Sequence, residues 1–286
     1  MNKWIMVVDV TRCNNCQNCV VAVKDEYVGN DFPGYSVSQP SSGHEWITVD
    51  RHVRGSGSMV DVTYVPRMCN HCDNAPCVRA GAGAITKRDD GIVLIDPVKA
   101  KGRRDLVDAC PYGAIWWNSE RDVPQHWTFD AHLLDGGWKE PRCVQACPSG
   151  ALRSERLSDE DAKALVAREG LEVLKPELGA LPRVFYKGLE TTATCFIGGN
   201  VVAMTVDGTL VNVPDAIVEL SVSSGGAIHR ASATTDVFGD FKIDGLSPNG
   251  GTYSIGIRHE SLGIAQGQGT YADSVHLGTF TLHRSH

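Results

Sequence analysis

Nine of the ten cysteines fall between Cys13 and Cys147, and six of those stand in two tight triplets, Cys13-x2-Cys16-x2-Cys19 and Cys69-x2-Cys72-x4-Cys77. No other feature restricts the possible folds so strongly. Thiols this close in sequence serve a shared ion or cluster far better than they serve disulfides, and ten cysteines in 286 residues lie far below the roughly 8–10% of a disulfide-stapled scaffold. The chain must instead wrap itself around shared metal. Three thiolates from one short loop hold three corners of a cubane 4Fe-4S cluster, with loop amides directed at the sulfurs, and a distant cysteine followed by proline supplies the fourth. Two such residues are present, Cys110-Pro111 and Cys147-Pro148. Two triplets and two Cys-Pro partners make eight ligands, hence two clusters. The competing assignment is a pair of zinc sites, which His71 inside the second triplet keeps open, although zinc favours two separated pairs over three cysteines within seven residues.

Composition narrows the class further. With 34 acidic against 27 basic side chains and a formal charge of -7, neither half carries the basic excess of a nucleic-acid binder. No stretch approaches the ~18 apolar residues of a membrane-crossing helix. The start MNKWIMVVDV lacks the layout of a secretory signal. The expected location is therefore the cytoplasm, although a subunit carried out by a signal-bearing partner would look the same.

The length suits about two domains. Residues 1–150 read as short strands and turns around the cysteine motifs: strands at Trp4–Val10 and Gly91–Asp96, a helical piece at Val20–Glu26, and a long Gly/Ser/Pro-rich insertion at about 30–60. Residues 151–193 form a connector. There Ser158 and Asp161 open a helix over 159–169 and Gly170 closes it, while Pro176–Pro182 reads as extended chain. Residues 194–286 hold short β-branched runs between Gly-rich turns, at Val201–Val206, Ala216–Val222, Phe238–Ile243, Tyr253–Ile257 and Val275–Leu282. They describe an antiparallel sandwich of about seven strands, giving an α+β chain overall.

An internal repeat supports the cluster assignment. Cys110-Pro-Tyr-Gly-Ala-Ile115 matches Cys147-Pro-Ser-Gly-Ala-Leu152, and Gly83-Ala84-Ile85 keeps the end of the phrase without its cysteine, so the first domain reads as two tandem ferredoxin-like units. With Asp90-Gly-Ile-Val93 and Pro141-Arg-Cys143-x3-Cys147-Pro148, residues 1–150 resemble the iron-sulfur subunit of molybdopterin enzymes of the dimethyl-sulfoxide-reductase family. The tail, from Gly170-Leu-Glu-Val-Leu-Lys-Pro-Glu-Leu-Gly179 through Pro182-Arg-Val-Phe-Tyr-Lys187 into the sandwich, is most similar to the transhydroxylase and resorcinol-hydroxylase branch acting on pyrogallol-type aromatics.

The resemblance implies one cluster on Cys13, Cys16, Cys19 and Cys147, and another on Cys69, Cys72, Cys77 and Cys110. It also implies a large catalytic partner that carries molybdopterin with molybdenum or tungsten, an external electron acceptor where the net reaction is an oxidation, and no catalytic residue in this chain. Relatives in that branch carry a third cluster. Here its positions hold Val23, Trp127, Asp130 and Cys143, so the site is expected to be filled by Val23 and Trp127, with Asp130 a remnant of a ligand position. Cys143 and Cys195 are left over as buried free thiols. Thr235-Asp-Val-Phe-Gly-Asp-Phe241 resembles a prealbumin-like (transthyretin- or immunoglobulin-like) domain, which would serve contact. Two other functions fit these residues: the iron-sulfur subunit of a respiratory reductase or dehydrogenase for a small inorganic or sulfur compound, and a free-standing ferredoxin with an interaction domain.

Overall fold

The computed structural model describes residues 1–284, which fold as two compact units. The first comprises residues 1–51 and 64–189, and the second comprises 52–63 and the chain from Glu190 onward.

In chain order the first unit holds β1 (Lys3–Asp9), α1 (Asn18–Tyr27), the outer parts of β2 (Thr48–Ser56) and β3 (Met59–Arg67), and α2 (Pro76–Gly81). Then follow the short strands β4 (Ile85–Lys87), β5 (Val93–Ile95), β6 (Trp116–Asn118) and β7 (Val123–Gln125), the helices α3 (Ala131–Asp135) and α4 (Arg142–Gln145), then β8 (Leu152–Leu157), α5 (Asp159–Glu169) and β9 (Val184–Lys187). The unbroken apolar run of β1 is what a strand covered on both faces requires. Its Met6 and Val8 join the main core with Val23, Trp127 and Phe129, whereas Ile5 and Val7 pack with Ala162 and Leu165 of α5. That helix spans the expected residues: Ser158 Oγ accepts the Asp161 amide at 3.1 Å, and Gly170 ends it at φ 61°.

Several expectations change. The connector is no linker, because β8 pairs antiparallel and β9 parallel with β1, completing its sheet. Pro176–Pro182 is likewise not simply extended: Pro176–Leu178 forms a 3-10 turn, since proline presets the first helical φ and Gly179 supplies the left-handed stop at φ 59°. The insertion at 30–60 ends in the β2–β3 hairpin, turned at Gly57-Ser58. The same glycines and serines that suggest a loop are also hairpin-turn chemistry.

The second unit holds β10 (Cys195–Met204), β11 (Leu210–Asn212), β12 (Ile217–Ser224), β13 (Ala227–Thr234), β14 (Asp240–Leu246), β15 (Gly251–His259), β16 (Gly263–Tyr271) and β17 (Val275–Leu282). β10 pairs antiparallel with β11 and β14 and parallel with β17. A second sheet runs β13-β12-β15-β16. Ile197, Val201, Phe241 and Ile243 of one sheet share a core with Val218, Leu220, Ile255 and Ile257 of the other, so the unit is a sandwich. Within it Arg54, with its side chain 8% exposed, bonds Asp244 at 2.8 Å and also pairs with Asp61.

The sandwich can be probed at a turn and at an ion pair. Gly239 has φ +78°, and a Cβ there would lie 2.4 Å from the Val201 carbonyl oxygen. Gly239→Ala should destabilise the sandwich by about 1–3 kcal/mol or more. The change should exceed that of Gly208→Ala, where the φ is similar but space is open; chemical unfolding compares them. Burial opposes ionisation of Asp244, yet Arg54, the Gly245 amide and Lys242 hold it down to about 2. Its contribution is therefore full above the unfolded-state value near 3.8 and fades as pH falls towards 2. Asp244→Asn should lower the unfolding midpoint at neutral pH and converge with the unmodified protein in strong acid.

Candidate metal centres

The pairing of β1 with β8 brings together two distant stretches of sequence. Val8 lies opposite Leu152, and the Asp9 amide donates to the Ala151 carbonyl at 2.8 Å, so the loop after β1 and the Cys147 loop before β8 emerge side by side. Cys13, Cys16, Cys19 and Cys147 line one pocket, walled by Val49, Pro66, Ala151 and Leu152. Asn15 at φ 58° and Gln17 at φ 62° curl the loop through left-handed conformations. The Asn15 and Val20 amides then point at the sulfurs of Cys13 and Cys19. Cys19 is buried, Cys13 and Cys147 are half-buried and Cys16 is exposed.

The second loop repeats the device. His71 has φ 44° at the position Asn15 holds in the first loop, just ahead of the middle cysteine, and its amide faces the Cys69 sulfur. Cys110 accepts the Ala114 amide at 3.4 Å, with Gly113 and Tyr112 adding theirs. Cys72 interacts electrostatically with Cys69, Cys77 and Cys110, so these four also stand together. Gly113 (φ 66°) and Gly150 (φ 62°) fold the two Cys-Pro segments alike, as the repeat implies.

Electrostatics show what the arrangement lacks on its own. Burial, then repulsion between neighbouring thiols, pushes Cys19 and Cys77 up to about 12. Burial takes Cys69 to about 11 and drives Cys72 higher still. The amides and Lys87 oppose this only in part. Four thiolates in one dry pocket need positive charge at their centre, which iron provides, so the donor set fits a thiolate-bound cluster. Among the described residues no three His, Cys, Asp or Glu side chains are gathered as a single metal ion requires.

Where a third cluster would need ligands, the chain is packed solid. Val23, Trp127 and Cys143 are almost wholly buried in the main core. Asp130 is fully buried and accepts from Tyr27 Oη at 2.8 Å, Trp127 Nε1 at 3.2 Å and the Arg142 amide at 2.8 Å. Burial raises its carboxyl, and these donors, with His132, restrain it. Cys195 is buried in the core of the second unit.

Nδ1 of His71 accepts the Val93 amide at 3.0 Å, which leaves Nε2 as the N–H, and that group reaches no sulfur. Arg103 pairs with Asp105 at 2.7 Å, and Arg104 lies over the Trp117 ring. Sequence reasoning missed Lys87, whose ammonium donates to the carbonyls of His71 (2.9 Å) and Cys72 (3.0 Å) and pairs with Asp73 (3.1 Å). No local signal marks it, because its partners lie about sixteen residues away.

Comparison with known proteins agrees with this geometry. Residues 60–156 match the 4Fe-4S dicluster domain family. The chain is 42% identical to the pyrogallol hydroxytransferase small subunit of Pelobacter acidigallici, over 90% of this chain and 91% of that protein. It is 36% identical to a tetrathionate reductase subunit of Salmonella typhimurium, over 66% of this chain and 74% of the relative. The thiosulfate reductase electron transfer subunit PhsB of Salmonella typhi is 31% identical over 59% of this chain and 83% of its own length.

Burial pushes His126 down to about 4, and burial with the Lys24 charge does the same to His44. Each stays neutral in the fold where an unfolded histidine, near 6.5, takes a proton. Stability should therefore fall as pH drops from about 6.5 towards 4. Both ring nitrogens of His44 lack partners and its ring stacks on Trp116, so His44→Phe should flatten part of that slope in urea titrations across pH.

Proposed function

Because the chain belongs to the iron-sulfur subunits of molybdopterin enzymes of the dimethyl-sulfoxide-reductase family, we propose that it carries electrons on two 4Fe-4S clusters for a larger catalytic subunit. One cluster is held by Cys13, Cys16, Cys19 and Cys147, the other by Cys69, Cys72, Cys77 and Cys110. The gathering of each quartet, with backbone amides turned to its sulfurs, carries this reading. When bound, each cluster supplies one-electron redox chemistry. The chain's own part is to provide thiolates, exclude water and set the potential through N–H donors and Lys87.

The partner holds molybdopterin with molybdenum or tungsten and acts on a polyhydroxylated aromatic compound, by hydroxylation or hydroxyl transfer. The match to the pyrogallol hydroxytransferase small subunit along nine-tenths of the chain supports that choice over a respiratory reductase, whose relatives match about two-thirds or less. No substrate site is assigned to this chain. In a net oxidation electrons leave through the quartets to an acceptor, and in a redox-neutral transfer the quartets poise the partner's metal. The sandwich, prealbumin-like in its Asp236-Val-Phe-Gly-Asp240 turn, serves contact.

The native complex should contain about eight irons per copy of this chain with matching acid-labile sulfide, and one molybdenum or tungsten in the larger subunit. Cys147→Ala should lower the iron to about four and leave the other cluster's EPR signal in place. Zinc without sulfide would refute the reading.

A further inference from the structure

Buried aromatic rings join the second triplet to the core that holds Cys19 and Cys143. His71 sits inside the second triplet, between Cys69 and Cys72, and its ring centroid lies 5.4 Å from that of Phe129 and 5.6 Å from that of Trp127. Trp127 and Phe129 stack at 4.8 Å with planes 28° apart. From Trp127 the path continues through its indole N–H to Asp130, and Trp127 shares one buried core with Cys143 and with Cys19 of the first quartet. Every ring on this path is at most 2% exposed.

The stack is also held in orientation. The indole is fixed by Asp130 and the His71 ring by the Val93 amide. The His126 ring, 5.8 Å from that of His71, bonds the Trp127 carbonyl through Nδ1. Filling a void requires volume only, whereas these bonds also fix the ring planes.

We infer that the Trp127–Phe129–His71 stack is the route by which an electron crosses between the two quartets; this rests on the two-cluster reading above. Electron exchange falls steeply with distance, and faster across a gap or water than through packed atoms. Val23, Trp127, Asp130 and Cys143 leave no further set of four thiols in that core, so the crossing is a single step through these side chains. One electron leaves one centre and arrives at the other. No ring is oxidised or reduced, no proton moves and no bond changes, because the rings act only as the medium.

The test uses the complete complex with Trp127→Leu, which removes the ring and loosens the packing, and Trp127→Phe, which keeps a ring. After a one-electron pulse of reduction, rapid-freeze EPR follows redistribution between the two clusters, and separate titrations give their potentials. Trp127→Leu should slow redistribution several-fold at unchanged potentials and unchanged iron, and Trp127→Phe should recover most of the rate. Should the leucine variant fail to assemble, Phe129→Leu asks the same question from the other ring. Redistribution at the unmodified rate in a fully loaded leucine variant, or in Phe129→Leu, overturns the route. Iron well below about eight in the unmodified complex overturns the two-cluster reading instead.

Discussion

The first unit is organised around thiols placed where their own ionised form is unwelcome. Burial and mutual repulsion both raise them, as at Cys72 and Cys77, so no quartet is a stable anionic site by itself. The surrounding chain supplies small compensations that converge on the sulfurs. Asn15, Gln17 and His71 accept left-handed backbone so that amides turn inward, and Gly113 and Gly150 let each Cys-Pro segment fold back. Lys87 adds a full positive charge that interacts with Cys69. These contributions lower the charge that bound iron must balance, and they are also the means by which a protein adjusts a cluster's potential.

The β1 sheet extends the same constraint over distance. Cys13 and Cys147 are 134 positions apart in sequence, and the antiparallel register of β1 with β8 is what sets their loops side by side. A slip by one residue would send Met6 and Val8 to the α5 side and Ile5 and Val7 to the main core, so the burial of both faces locks the register. The sandwich meets a simpler requirement. Its core is ordinary alternation, as in Val218, Leu220 and Val222 of β12, and it holds no thiol except the solitary Cys195.

Most of this architecture was legible in the sequence where a residue pattern had a single physical reading. Triplet spacing, the Cys-Pro repeat and the Ser158…Gly170 helix are such patterns, and α5 begins and ends where its caps say. β13 and β16 escaped notice because Ala227–Thr234 and Gly263–Tyr271 are largely exposed strands, rich in polar residues and glycine, with little apolar alternation to read. The β2–β3 hairpin escaped because Gly55, Ser56, Gly57 and Ser58 suit a loop and a tight turn equally. Ring orientation and the reach of Lys87 depend on long-range packing, which local spacing does not encode.

Asp130 holds the arms of the first quartet together. Asp130 is completely buried, where a carboxyl without partners destabilises strongly. It has partners on three sides: Tyr27 at the end of α1, Trp127 in the core and the first amide of α4. The last of these matters most for the site. α4 leads directly into Cys147, and α1 carries Cys19 in its first turn, so one carboxylate ties together the two elements that deliver opposite sides of the first quartet. Arg142 reinforces the tie through Glu26 at 2.6 Å and Asp25 at 2.8 Å. Asp130, Arg142 and their partners brace the arms that carry the first quartet's cysteines.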